Sequence, residues 1–76
     1  MTPYGNRSGD SGVAAYECRA DEIRLRFVGG DTIYVYTGVA PGSRHVQAMQ
    51  RLAAAGKGLA TYVNQHVRDD YEYTID

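Results

Sequence analysis

One cysteine and two histidines are the side chains best suited to covalent or acid–base chemistry in this sequence. Cys18 lies among apolar residues of a predicted strand, where a free cysteine commonly packs as a small hydrophobic side chain. His45 and His66 lie far from it and from each other in the sequence, whereas zinc sites use close ligand pairs. Nucleophilic catalysis needs a nucleophile beside a base. We therefore expect no catalytic residue, no metal site and no cofactor.

The segment Gly56-Lys57-Gly58 suggests a phosphate-binding loop. A Walker A loop needs an earlier glycine and a serine or threonine after its Gly-Lys pair, whereas Arg51 and Gly58 occupy those positions. Two interpretations stay open. In the first, N–H groups at the start of a second helix bind an anion weakly, with Lys57 nearby. In the second, which we favour, the two glycines only shape a tight turn between helices.

Arginines and tyrosines recur at alternate positions along two predicted strands. Arg24 and Arg26 belong to the first of these strands, and Tyr34 and Tyr36 belong to the second. Bases of single-stranded nucleic acid stack on aromatic rings, and arginine attracts the phosphates. These four residues are therefore the candidate nucleic-acid-binding residues, provided that the fold places them on one face.

The strands that must position these residues are predicted from period-two alternation. Residues 22–28 alternate apolar and charged side chains, as in a strand with one buried face. A glycine-rich turn then leads to a β-branched and aromatic strand at 32–37. Residues 13–18 form a further strand, and residues 71–75 form either a last edge strand or an ordered tail.

Two helices are predicted after this hairpin. Ser43 is a suitable N-cap for a helix that reaches about Ala55, and Gly56 has the position expected of a left-handed C-cap glycine. The second helix begins at Gly58 and ends near Arg68. This order predicts an α+β fold, in which a three- to four-stranded antiparallel sheet is followed by two helices packed on one face.

Length and composition restrict the class of protein. Residues 1–12 are predicted to form a flexible N-terminal arm, and residues 13–76 form a single small domain, whose thin core would gain from a partner subunit. Lysine and arginine number 8 against 9 aspartate and glutamate, so the net charge of −1 gives no broad attraction for duplex DNA. A single cysteine and no apolar segment of membrane-spanning length predict a cytoplasmic protein without membrane contact.

The length of the central hairpin loop decides which side chains share a face, because a slip of one residue turns a whole strand over. With an even loop such as Gly30-Asp31, Tyr34 faces Phe27 and Tyr36 faces Leu25 beneath the helices. The other face then suits a second subunit or another protein. Its residues are Arg24, Arg26, Val28, Ile33 and Val35.

A three-residue loop over residues 29–31 gives the opposite arrangement. Ile33 and Val35 then join the core, and the two tyrosines lie outside. An open sheet surface that combines Tyr34 and Tyr36 with arginines is a stacking platform for single-stranded RNA. We favour the even loop, and both alternatives stay open at this point.

Several short motifs occur in a characteristic order: Ser11-Gly12-Val13, Tyr16, Leu25-Arg26-Phe27, Gly30, Tyr34-Val35-Tyr36, Ala55-Gly56, Val63-Asn64 and Tyr71. In order and spacing they resemble the KTSC domain family, which occurs at the end of some lysyl-tRNA synthetases and as small stand-alone bacterial proteins. Two segments depart from the pattern of the family, a longer linker after Thr37 and the Gly-Lys-Gly before Leu59. The family has no established activity, and its attachment to a tRNA synthetase implies an RNA-binding role.

We therefore expect a binding module that is not an enzyme. The first interpretation is an RNA-binding or single-stranded nucleic-acid-binding domain that uses the candidate residues Arg24, Arg26, Tyr34 and Tyr36. The alternative is a protein-interaction or homodimerisation module that uses the sheet face with Val28, Ile33 and Val35. The orientation of the two tyrosines distinguishes the two surfaces.

Overall fold

The computed structural model describes residues 1–5 and 12–76. In that part of the chain, five antiparallel strands form one sheet in chain order, and the helices lie between the fourth and fifth strands. The predicted α+β fold is confirmed, with more strands than expected. The strands are β1 (Thr2–Pro3), β2 (Val13–Arg19), β3 (Glu22–Phe27), β4 (Ile33–Thr37) and β5 (Tyr73–Ile75).

The helices begin and end near the predicted residues. Helix α1 (Ser43–Ala55) has the predicted bounds, although Gly42 is its N-cap instead of the serine that follows. Gly56 ends α1 with φ 76°, the left-handed conformation expected of this glycine. Helix α2 (Leu59–Tyr62) is one turn long and continues into a turn of π-helix (Val63–Val67), which we call the π turn.

The hydrophobic core lies between the helices and one face of the sheet. Ile23 and Leu25 of β3 are fully buried there, together with Val46 and Met49 of α1. The α2 segment and the π turn contribute Leu59, Val63 and Val67. Their spacing of four residues keeps these three side chains on one helical side. The described helices therefore pack on this face of the sheet.

Residues 1–5 are docked against the domain, so for them the prediction of a flexible arm is wrong. Thr2 and Pro3 pair with β2 as the edge strand β1. Tyr4 is 7% exposed and belongs to the core, and its hydroxyl accepts a hydrogen bond from the Leu59 N–H at 3.2 Å. The burial of one large aromatic ring stabilises the docked segment more than the flexibility of the small polar residues around it destabilises it. Residues 6–11 of the predicted arm lie outside the described residues.

Candidate functional site

The central hairpin has the even parity that the sequence favoured. Six residues separate the paired parts of β3 and β4, and Tyr34 and Tyr36 lie on the core face. The individual partners differ from the prediction by two residues, since Tyr34 pairs with Leu25 and Tyr36 with Ile23. The turn is therefore longer than the predicted two-residue loop, but each side chain keeps its predicted face.

Tyr36 is a core residue with a satisfied hydroxyl group. Its side chain is 1% exposed, and its hydroxyl donates a hydrogen bond to the Arg68 carbonyl at 3.1 Å. The Tyr71 ring packs edge-on against it, with 6.1 Å between ring centroids. This contact network attaches β4 to the chain that follows the π turn.

Tyr34 is half-buried in an aromatic row on the same face. Its ring packs edge-on against Phe27 and against Tyr71, with 5.2 Å between centroids in each pair. The structure therefore does not bring the two central tyrosines together with Arg24 and Arg26. The four predicted nucleic-acid-binding residues lie on opposite faces of one sheet and do not form the predicted stacking platform.

Burial gives Tyr36 a measurable pH signature. Removal from water raises the pKa of its phenol, and the negative charges of Asp69 and Asp70 add to the effect. Since the folded state holds the proton more tightly than the unfolded state, its stabilising contribution is complete below about pH 10, the ordinary pKa, and is lost as the pH rises further. We expect the urea midpoint to fall between pH 9 and 11, roughly. In Tyr36→Phe, which has no phenolic proton at this position, we expect a smaller decrease; an equal decrease in both proteins would contradict this account.

The face of the sheet opposite the core, which we call the outer face, carries cross-strand rows of side chains, two of which reach β5. The first row contains Ala15, Arg26, Ile33 and Ile75. The second row contains Glu17, Arg24, Val35 and Tyr73. Each row runs from charged groups on the central strands to apolar groups on β5. The outer face is thus half ionic and half apolar.

Ion pairs fix the ionic half of the outer face. Arg24 Nε donates a hydrogen bond to Glu22 Oε2 at 2.6 Å, and both side chains are largely covered by their neighbours. This bond raises the pKa of the Arg24 guanidinium. Arg19 pairs with Glu17 in the same way and lowers the pKa of the Glu17 carboxyl. The alternating charges offset one another, so the outer face has no strong field of one sign.

The apolar half of the outer face is the part left open to water. Tyr73 and Ile75 of β5 are 42% and 39% exposed, and Ile33 beside them is half-buried. Val35, a predicted interface residue, is fully buried at the floor of this face and has no exposed surface to offer. Val28 is well exposed, but it lies in the hairpin turn beyond β3.

Sequence reasoning missed the two residues that contribute most to this apolar surface. Tyr73 and Ile75 alternate with polar residues, and the alternation was the available signal for a strand. Their place beside Val35 and Ile33 depends on a chain reversal through both helices. Local spacing does not report a pairing over that distance in sequence, so the sequence predicts an edge strand or an ordered tail here and no face for these residues.

Lys57 lies in the turn between α1 and α2 and is exposed. The glycine that follows it, Gly58, has φ 84°, as a tight turn requires. One N–H group that the anion-binding interpretation needs, that of Leu59, already donates to the Tyr4 hydroxyl. The geometry therefore supports the turn interpretation and adds no feature that favours an anion.

The structure brings together two histidines that the sequence separates. His45 Nδ1 lies 2.7 Å from the Tyr62 hydroxyl oxygen, and the His45 and His66 rings have centroids 6.3 Å apart. The premise that the two histidines are distant is therefore wrong in three dimensions.

Cys18 is exposed at the far end of β2 instead of buried as predicted, and partial burial raises the pKa of its thiol.

The described part of the chain has no pocket and no cluster of three or more His, Cys, Asp or Glu side chains that could hold a metal. Among its helices, none has the length and apolar character to cross a membrane. A scan against protein-family models and searches of curated proteins and of solved structures found no match to this chain. The similarity to the KTSC family stays a prediction from the motifs.

Proposed function

We propose that this chain is a protein-interaction module whose outer face binds a second copy of the same chain. The observation that carries the proposal is the position of Tyr73 and Ile75 on this face, each more than a third exposed, beside Ile33. Adjacent exposed apolar side chains with a polar margin are typical of an interaction site. The described helices pack on the core face and leave these side chains open to a partner.

The charge pattern of the outer face favours a second copy over a strongly charged partner. Carboxylates and guanidinium groups lie side by side, as in the Arg24–Glu22 pair. A two-fold axis brings the same patch of two molecules together, so the patch must be self-complementary. A surface on which positive and negative charges alternate can be complementary to a second copy that is rotated by the two-fold axis. A surface with charges of one sign would repel its copy.

The size of the face is compatible with a modest homodimer. Five strands about 4.8 Å apart, with about 3.3 Å per residue along each strand, give a face of roughly 24 by 20 Å. Two such faces in contact cover on the order of 1,000 Å² in total, near the lower limit for a specific interface. We therefore expect association at micromolar to millimolar concentration, and a gain in stability for a domain with a small core.

The nucleic-acid interpretation has less support from the geometry. Arg24 and Arg26 share the outer face, but Arg24 is paired with Glu22, and the two central tyrosines are on the core side. Tyr73 is the described outer-face aromatic side chain closest to these arginines in register, two strands away from Arg24. RNA binding stays a prediction that rests on the motif similarity and on the two arginines.

The homodimer is tested by replacing its apolar contact residues. In the variant that combines Tyr73→Lys with Ile75→Lys, we expect the dissociation constant of the dimer to rise at least 10-fold. The reason is that two lysines would be buried against an apolar surface without partners. Sedimentation equilibrium from roughly 10 µM to 1 mM covers the expected range. Circular dichroism spectra of both proteins establish that the fold is retained.

A matched control uses the same chemical change elsewhere. Val39 is 80% exposed in the loop after β4, away from the outer-face rows, so Val39→Lys should leave the association unchanged. A wild-type protein that stays monomeric at the highest concentration would overturn the proposal. Binding of a fluorescent single-stranded RNA that disappears in Arg24→Ala with Arg26→Ala would favour the nucleic-acid interpretation in its place.

A further inference from the structure

Three aromatic side chains, one from α1 and two from the continuous segment of α2 and the π turn, meet on the helical side of the molecule. His45 belongs to the first turn of α1, Tyr62 ends α2, and His66 belongs to the π turn. The ring centroids are 5.9 Å apart for His45–Tyr62, 4.5 Å for Tyr62–His66 and 6.3 Å for His45–His66. The core does not require them, because His45 and Tyr62 are half-buried and His66 is exposed.

We propose that His45 and His66 are the protein ligands of a site for a divalent late first-row transition-metal ion, with water molecules completing its coordination. Imidazole nitrogens bind such ions at about 2.1 Å, so two rings that share one ion have centroids about 5–6 Å apart. The observed 6.3 Å lies close to this range. A small rotation of the His66 side chain, which is exposed, would close the difference.

The hydrogen bond to Tyr62 orients the ring of His45 so that one ring nitrogen is left for a metal ion. A metal-binding histidine usually uses one ring nitrogen for the metal and the other for a hydrogen bond to an oxygen atom. Here Nδ1 of His45 is engaged with the Tyr62 hydroxyl at 2.7 Å, which leaves Nε2 as the nitrogen for a metal. With a metal ion on Nε2, the Nδ1–H of His45 donates to the Tyr62 hydroxyl oxygen, so Tyr62 is a positioning residue that holds the His45 ring in place.

The irregular helix places the second ligand. Tyr62 and His66 are four residues apart and therefore share one helical side, where their rings pack at 4.5 Å. The wider π turn is closed by the hydrogen bond from the Arg68 N–H to the Val63 carbonyl at 2.6 Å. Single π turns occur frequently at functional sites, since they re-aim one side chain within a helix.

The ligand types define the class of ion. Neutral imidazole prefers copper, nickel, zinc and iron, whereas magnesium and calcium prefer oxygen ligands. Two nitrogens at a surface give moderate affinity, and the order of binding should follow copper above nickel and zinc, with manganese weakest. Magnesium should not compete.

The test uses zinc chloride and the full chain in a Cys18→Ser background, because the exposed thiol of Cys18 is itself a possible zinc ligand. We expect one zinc ion per chain by calorimetric titration and selective shifts of both histidine ring signals by NMR. Replacement of either ligand, in His45→Gln or His66→Gln, should weaken zinc binding at least 10-fold. Tyr62→Phe, which keeps the ring and removes the hydroxyl, should weaken it by about 10-fold and change the His45 tautomer signal.

A neighbouring substitution provides the control. Gln65→Ala changes an exposed residue of the π turn that is not a ligand, and it should leave zinc affinity unchanged. The proposal fails if zinc at roughly millimolar concentration shifts neither histidine signal, because the affinity for zinc would then be too weak for a specific site. It also fails if the folded His66→Gln variant binds zinc as tightly as its parent, since the ion would then lie elsewhere on the chain.

Discussion

Replacing Tyr36 by alanine is expected to lower the free energy of unfolding by about 3–5 kcal/mol, the usual cost of deleting a buried aromatic ring. The side chain is 1% exposed, packs against Tyr71 and donates its hydroxyl hydrogen to the Arg68 carbonyl. A domain of this length has roughly 4–11 kcal/mol of stability in total. The variant should therefore lose a large share of the stability of the domain, measured as a lower midpoint of urea denaturation followed by circular dichroism.

Tyr73→Ala is the matched control for this prediction. Tyr73 lies on the neighbouring strand β5, and its ring is 42% exposed on the outer face. Its replacement should cost less than about 1 kcal/mol in the monomer, because surface substitutions leave no cavity. If Tyr36→Ala were as stable as Tyr73→Ala, the register of the central hairpin would be wrong, and Tyr36 would return to the outer face as a possible nucleic-acid contact.

The central hairpin shows how far the sequence could predict the fold. Alternation over 22–28 identified β3, and a run of β-branched and aromatic residues identified β4. An even loop predicts correctly which side chains of β4 share a face with those of β3. It does not predict the pairing of Tyr36 with Ile23, because the turn over 28–32 contains glycines that allow several loop lengths. Faces are determined by the burial of apolar groups, whereas the exact register depends on turn geometry.

The helical segment was predictable where its pattern is long and regular. Apolar residues on one side of α1 and a glycine at its end predicted its bounds, which the structure confirms. The π turn has no such signal, because one additional residue in a helical turn changes neither the composition nor the approximate spacing of Val63 and Val67. It is nevertheless the element that aims His66.

The candidate binding surfaces depend on contacts between distant parts of the chain. The arginines of β3 and the parity of β4 placed Arg24, Arg26 and Ile33 on the outer face correctly. The apolar half, Tyr73 and Ile75, required the return of the chain after both helices. The histidine pair required α1 and the π turn to lie side by side. Such long-range contacts carry no local period, so spacing alone cannot predict them.

The N-terminal strand illustrates a competition between composition and a single large side chain. Glycine and small polar residues around it predict a mobile segment, and a strand of two residues has no measurable period. Tyr4 overrides this tendency, because its ring packs against Tyr16 at 6.4 Å between centroids and its hydroxyl reaches Leu59. Tyr4 is therefore the side chain that anchors residues 1–5 in the core, in addition to the backbone pairing of β1 with β2.

We expect Tyr4→Ala to reduce the free energy of unfolding by about 3–4 kcal/mol, through loss of a buried ring and an unpaired N–H at Leu59. Tyr4→Phe keeps the ring and should cost about 1–3 kcal/mol, because it leaves the buried Leu59 N–H without a partner. Urea denaturation of both variants, with Met1→Ala as a control at an exposed position of the same segment, separates the two contributions.

The same series distinguishes a docked segment from a flexible arm. If Tyr4 anchors residues 1–5, its loss also removes the pairing of β1 with β2, and backbone amides of β2 such as that of Tyr16 should exchange faster with solvent. An unchanged denaturation midpoint in Tyr4→Ala would show that the segment contributes nothing to the core. The sheet would then begin at β2, its edge would be open to strand addition, and self-association could proceed along that edge as well as through the outer face.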